Sequence, residues 1–142
     1  MKAVVRWQGN VCFEAESGTG HRLIMDGPPD HGGQNRGARP METILIGVGG
    51  CASFDVVHIL KKSRQDVTGC YCEMDAERAD DEVPAVFTRI SMHFVVRGRN
   101  LKEAQVKRAV ELSAEKYCSG SIMLARAGVQ IEHSYRVEQD DE

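Results

Sequence analysis

Pro40-Met41-Glu42-Thr43-Ile44-Leu45-Ile46-Gly47-Val48-Gly49-Gly50-Cys51-Ala52-Ser53-Phe54-Asp55-Val56-Val57-His58-Ile59-Leu60 is the stretch on which the fold turns. Proline is accommodated in the first turn of a helix, where its missing N–H costs no hydrogen bond. Beyond it, apolar residues fall on nearly every side of a helical projection. The spacing therefore predicts a helix over 41–63 that is buried rather than laid on a surface. Gly47, Gly49 and Gly50 each weaken such a helix by about 1 kcal/mol relative to alanine, and close approach of another backbone is what they offer in return. Lys61, Lys62 and Arg64 suit its C-terminal end, where cations are favoured by the helix dipole. A helix that is apolar all round is hard for one small chain to cover, so the pattern predicts a dimer.

Working outward, residues 3–8 and 11–16 read as strands joined at Gly9-Asn10, and residues 21–26 as a third strand after the turn Gly18-Thr19-Gly20. Residues 27–40 hold four glycines, three prolines and no apolar period, and read as a loop, of which residues 27–38 are expected to be the most mobile internal segment. Downstream, 70–78 and 86–97 read as two longer strands, with Thr88, Ile90, Met92, Phe94 and Val96 on one face of the second. Asn100 is the expected cap of the next helix, with Glu103 at the capping-box position and Glu103–Lys107 as an i,i+4 pair. That helix is expected to reach about Tyr117. A shorter helix from Ser119 to Ala127 and a final strand from Val129 to Val137 follow. The order predicts a single α+β domain over residues 1–137, followed by an acidic tail over 138–142.

A chain of 142 residues fits one domain with a real core of its own. Its net charge of −3 gives no general attraction to nucleic acid. No unbroken run of apolar residues reaches the roughly 18 of a membrane span, so none is expected. Met1-Lys2-Ala3-Val4-Val5-Arg6-Trp7 lacks the apolar core of a signal peptide, and a cytoplasmic location is expected. The five cysteines, Cys12, Cys51, Cys70, Cys72 and Cys118, are odd in number. Without a secretion signal that argues against a disulfide framework and for free thiols.

Cys51 reads either as a small core residue or as a reactive thiol. Cys118 falls near the break between two helices, where N–H groups opening the second helix can stabilise a thiolate; the other reading is a packed small residue. Asp55 and His58 share a helix face with Cys51. Such a row can activate a nucleophile, but an acidic neighbour raises a thiol pKa, so hydrogen bonding to neighbouring strands is the preferred role for both. Cys70 and Cys72 are too few for a closed zinc site, and His21, His31 and His93 lack zinc-motif spacing, so no metal site is expected. Glu42, beside Arg39 and near Arg36, reads either as a first-turn carboxylate on the helix dipole or as one that orients an arginine over a thiolate. Along a straight helix Glu42 stands about 13 Å from Cys51. The second role therefore needs a bent helix or a site shared across a dimer interface.

The run Pro40-Met41-Glu42-Thr43-Ile44-Leu45 followed by Gly49-Gly50-Cys51 resembles the first-cysteine motif of the OsmC/Ohr superfamily, with Cys118 in the place of the second cysteine. The resemblance covers essentially the whole chain. It is closest to the YhfA-like branch through His21 to Gly27, Asp55 to Leu60 and Ser113 to Ser119. It implies antiparallel sheets around a long buried central helix in an intertwined homodimer, with sites at the subunit interface. It further implies thiol-based reduction of organic hydroperoxides without a bound cofactor. Cys51 would attack the O–O bond and become a sulfenic acid, Cys118 would condense with it to a disulfide, and an external dithiol, in some members a lipoyl group, would reduce the product. Glu42 would pair with an arginine that stabilises the thiolate; Arg22, Arg36 and Arg39 are the candidates, Arg39 the favoured one. Ser119 departs from the proline that many members carry after the second cysteine. The competing readings are a dimeric module that binds a small apolar or thiol-containing ligand, and an interaction scaffold with inert cysteines.

Overall fold

A computed structural model describes residues 1–141. The chain divides into two compact units, Met1–Ile46 and Gly47–Glu142, each built around its own three-stranded sheet.

The first unit is an antiparallel meander of β1 (Ala3–Trp7), β2 (Phe13–Ser17) and β3 (Arg22–Met25). Gly9 and Asn10 both take positive φ, at 95° and 48°, as the sequence leads one to expect of that pair. The loop after β3 is better tied down than its composition suggests. Asp26 is only 2% exposed, and its carboxylate accepts backbone N–H bonds from Gly27 (2.7 Å), Gln34 (3.2 Å) and Arg36 (3.2 Å). Gly33 is required here, because a Cβ would meet the Gly27 carbonyl oxygen at 1.9 Å. No residue of the loop itself is buried, but this one buried acid before it gathers donors from both of its ends.

Helix α1 runs Pro40–Lys62, and the division between the units falls within it. Arg39 precedes its first turn, and the Glu42 carboxylate accepts the Arg39 backbone N–H at 2.9 Å. That is one half of a capping box, satisfying a donor the helix itself cannot use.

In the second unit β4 (Asp66–Arg78), β5 (Phe87–Arg99) and β6 (Gln130–Gln139) form one sheet with β5 central. β4 and β5 are antiparallel, but β6 joins β5 in parallel, which corrects the expectation of purely antiparallel sheets. The reason is the connection: a parallel neighbour needs a crossover of a dozen residues or more. The chain between β5 and β6 supplies α2 (Glu103–Leu112), a π-helical turn (Ser113–Tyr117) and α3 (Ser119–Arg126). Ile90, Met92, Phe94 and Val96 alternate along β5 and are fully buried. In the same unit α2 buries Val106, Ala109 and Val110, and α1 buries Val48, Gly49, Ala52, Val56 and Leu60.

Two details of the crossover differ from expectation. Asn100 does not cap α2: its φ of 49° places it in the turn out of β5, and Lys102 stands at the cap without a side-chain bond. Glu103 accepts a hydrogen bond from the Tyr135 hydroxyl at 3.2 Å, so the i,i+4 ion pair on α2 is Lys107–Glu111 instead. β6 also outruns its expected end. Glu138 and Gln139 belong to the strand, and the Asp140 N–H reaches the Gly98 carbonyl at 2.7 Å. Of the acidic tail, Glu142 lies outside the described residues.

Helix α1 is only partly covered within this chain. Phe54 is 70% exposed and Ile46 63% exposed, so one chain by itself does not bury the helix on all sides. The helix has the length and apolarity to cross a bilayer, yet one row of it is packed in the chain's own core. Of its three glycines Gly49 has a visible reason, since a Cβ there would meet Met74 Sδ at 2.4 Å.

Burial pushes the Asp26 carboxyl up, but three backbone donors and the nearby Arg36 charge overcome that and hold it below the usual carboxylate range. A lowered native pKa stabilises the fold above the unfolded value of about 3.9. That stabilisation disappears as pH falls through the native value. Asp26→Asn is therefore expected to unfold more easily than wild type at pH 7, with the difference shrinking toward pH 3, and to speed amide exchange at Gly27, Gln34 and Arg36. Equal denaturation midpoints at pH 7 would contradict this.

Candidate functional site

The second unit brings three of the chemistry-bearing residues together. Cys51 Sγ, an Asp55 carboxylate oxygen and Cys118 Sγ all lie within 4.8 Å of one another. Cys51 and Asp55 are one turn apart on α1, beside the buried row Val48–Ala52–Val56, and both are half-buried. Cys118 arrives from the other side, at the junction between the π-helical turn and α3, and is wholly buried.

The junction explains how a residue far along the chain is held there. The wider turn Ser113–Tyr117 continues α2 and ends where the Cys118 N–H bonds to the Ser113 carbonyl at 2.9 Å. Cys118 then leaves helical geometry (φ −75°, ψ 99°) and becomes the N-cap of α3, its sulfur accepting the Ser121 N–H at 3.4 Å. Ser113, also fully buried, turns its hydroxyl to α1, within donating distance of the Ala52 carbonyl (3.3 Å) and Asp55 Oδ2 (3.5 Å). Ser113 enters the sequence reading only as the first residue of a stretch that carries the family resemblance, and Ser121 does not enter it. The visible signal was the Ser-x-x-x-x-Cys-Ser-x-Ser spacing at a helix break, which no periodicity argument separates from an ordinary turn.

Burial and the nearby Cys51 thiol push the Cys118 thiol up, although the Ser121 hydroxyl and N–H oppose the shift. Burial likewise raises the Asp55 carboxyl above its ordinary value, against the pull of the Ser113 hydroxyl and of His58. No lysine, arginine or histidine pairs with Asp55 among the described residues. His58 does not join the cluster: its ring stacks on Phe54 with centroids 5.9 Å apart. With Asp55, Ile59, Lys62, Arg108 and Tyr117 it lines a groove of about 470 Å³, within the usual range for small-molecule sites of roughly 300–1,000 Å³.

The remaining cysteines are set apart. Cys12 is buried in the first unit. Cys70 and Cys72 alternate along β4, and burial pushes both thiols up, Cys72 to about 11 with help from Cys70 and Glu73. They are poor thiolates at neutral pH.

The expected arginine partners lie in the first unit, where their bonds are local. The Arg39 guanidinium donates to Asn35 Oδ1 (2.9 Å) and the Gly37 carbonyl (3.3 Å), and forms no ion pair with Glu42. Arg22 sits between Glu14 (3.6 Å) and Glu16 (3.8 Å) on the sheet. Arg36 gives its backbone N–H to Asp26.

The sulfur separation sets one expectation. A disulfide bond measures about 2.05 Å, so the Cys51–Cys118 pair needs only side-chain rotation and a small approach to close. Diamide, which removes electrons without adding oxygen, is expected to link Cys51 to Cys118 before any link involving Cys12, Cys70 or Cys72 forms. Peptide mapping after alkylation reads this out, and a dominant Cys70–Cys72 link would contradict it.

Comparison with known proteins agrees with this architecture. The family model for OsmC-like protein matches residues 32–134. Protein YhfA of Escherichia coli strain K12 is 48% identical over 137 residues, covering 96% of this chain and 98% of that one. A hypothetical protein from Aquifex aeolicus VF5 superposes with a TM-score of 0.84 at 26% identity, over 99% of this chain and 97% of its own. The organic hydroperoxide resistance protein OsmC from Legionella pneumophila shares the fold, with a TM-score of 0.71 at 17% identity and 96% coverage of each chain. A family match over most of the chain, a relative at nearly half identity end to end, and a common α+β architecture lead to one conclusion: the chain belongs to the OsmC-like protein family.

Proposed function

We propose that this protein reduces organic hydroperoxides with the Cys51–Cys118 thiol pair. The observation that carries the reading is the pairing of a half-buried and a fully buried sulfur within 4.8 Å. The names of structural neighbours support it: those from Legionella pneumophila and Bacillus subtilis are both called organic hydroperoxide resistance proteins.

In this reading the Cys51 thiolate, the more accessible one, attacks the terminal oxygen of ROOH. The O–O bond breaks, Cys51 becomes a sulfenic acid and ROH leaves with one proton. Cys118 then attacks the sulfenic sulfur; the S–S bond forms, the S–O bond breaks, and the Cys118 proton, passed through the adjacent Asp55 carboxylate, leaves with the hydroxyl as water. An external dithiol, a lipoyl group being one candidate, returns the disulfide to two thiols and is itself oxidised. Such a cycle suits the reducing cytoplasm. Glu42 and Arg39 are assigned the role of stabilising the Cys51 thiolate, within a homodimer. The dimer assignment rests on the apolar surface that α1 leaves uncovered, Phe54 and Ile46 above all, because obligate interfaces are apolar and commonly bury about 2,000 Å² or more.

The second reading is a non-catalytic dimeric module for a small apolar or thiol-containing ligand, and the groove beside Asp55 is the feature that favours it. Excess organic hydroperoxide separates the two. Under the enzymatic reading both thiols are consumed while Cys12, Cys70 and Cys72 stay reduced. Cys51→Ser is expected to abolish peroxide consumption. Cys118→Ser should complete one turnover and then let Cys51 over-oxidise irreversibly. An unmodified Cys51 in folded protein sinks the peroxidase reading in favour of the binding module. For the assembly, light scattering at micromolar concentration should give twice the chain mass, and a stable monomer would overturn the dimer.

A further inference from the structure

We propose that Cys51, Asp55 and Cys118 form a binding site for a thiophilic divalent cation of the zinc class. The proposal does not depend on peroxidase activity. A tetrahedral zinc ion with Zn–S of about 2.3 Å and Zn–O of about 2.0–2.2 Å holds its donors roughly 3.5–3.8 Å apart. The three donors already lie within 4.8 Å of one another, so rotamer adjustments of about an ångström complete the set. Two of them, Cys51 and Asp55, stand one turn apart on a single helix, which fixes their spacing.

The surroundings resemble the outer shell that orients metal ligands. The Ser113 hydroxyl is within 3.5 Å of Asp55 Oδ2, and the Ser121 N–H donates to Cys118 Sγ at 3.4 Å. All three donors are anionic when ionised, Cys118 is fully buried, and Asp55 has no cationic partner within ion-pair distance among the described residues. A dication supplies the missing countercharge for all three at once. Two thiolates select a soft or borderline ion over magnesium or calcium. Binding releases the two thiol protons, and three protein ligands leave a fourth position for water or a small ligand. The half-buried side formed by Cys51 and Asp55 is the route of entry.

The consequence is mutual exclusion between metal and oxidation. While the ion is held, neither sulfur is free to attack or to be attacked. Once the Cys51–Cys118 disulfide forms, two of the three ligands are gone and the ion is expelled.

Co²⁺ is the probe. Added to reduced protein under nitrogen, it is expected to bind one per chain, with thiolate-to-cobalt charge-transfer absorption and tetrahedral ligand-field bands. Zn²⁺ should displace it and Mg²⁺ should not. Asp55→Asn is expected to weaken binding at least about tenfold, since even outer-shell losses commonly cost 10–100-fold. Cys51→Ser and Cys118→Ser should each lose most of the charge-transfer band, while a Cys70→Ser/Cys72→Ser double variant keeps it. Should a site variant fold poorly, diamide-oxidised wild type serves in its place and should bind no Co²⁺. A band that is absent from reduced wild type, or that follows Cys70 and Cys72 instead, overturns the proposal whatever the protein does to peroxides.

Discussion

Everything in the second unit is referred to one row of contacts, Val48, Ala52, Val56 and Leu60, by which α1 is seated in the core. These residues recur every fourth position, so they lie on one stripe of the helix. Cys51 and Asp55 each precede a member of that row by one position and are carried at its border. The seating is close, since a Cβ at Gly49 would require the Met74 side chain to move. A helix locked by its buried stripe presents its border residues with little freedom, which is what a site built from short side chains requires.

The other half of the site depends on a different kind of constraint. Cys118 is placed by backbone bonds at the end of a π-helical turn and the start of α3, not by its own packing preference. Ser113 links the two halves through its hydroxyl, reaching from that turn to α1. Such wide turns are uncommon and often mark functional positions. Accessibility differs between the two: Cys51 on α1 is half-buried, and Cys118 at the cap is fully buried.

What the sequence disclosed and what it hid follow the same division. The apolar run of α1, the alternation Ile90–Met92–Phe94–Val96 and the Gly9-Asn10 turn were legible because each depends on local period or backbone freedom. The parallel partner of β5 was not, because strand order depends on where the crossover lands. Asn100 looked like a helix cap because cap and turn residues share one chemistry, and only the backbone angle separates them. The 27–40 loop looked unanchored because a single aspartate, Asp26, carries its order from outside the segment. Cys51 and Cys118 were legible through resemblance, whereas Ser113 and Ser121 became visible only when the turn that aims them was seen. Asp55 sat in view on the helix but was set aside on electrostatic grounds, since a carboxylate beside a thiol is unfavourable until something balances it.

The π-helical turn also bears on how this sequence can change over time. In an α-helix each residue advances the chain by about 100°, and the extra span of Ser113–Tyr117 resets that phase before Cys118 is reached. Residues 114–116 are free to vary in side chain, since their exposed or half-buried positions ask little of them. They are not free to vary in number. Loss of one residue there would remove the five-residue reach from the Ser113 carbonyl to the Cys118 N–H and, with it, the turn that holds the cap sulfur beside α1. Descendants of this chain should therefore diverge in the letters of that segment while holding its length fixed, a pattern opposite to that of a surface loop, where insertions and deletions are easily absorbed.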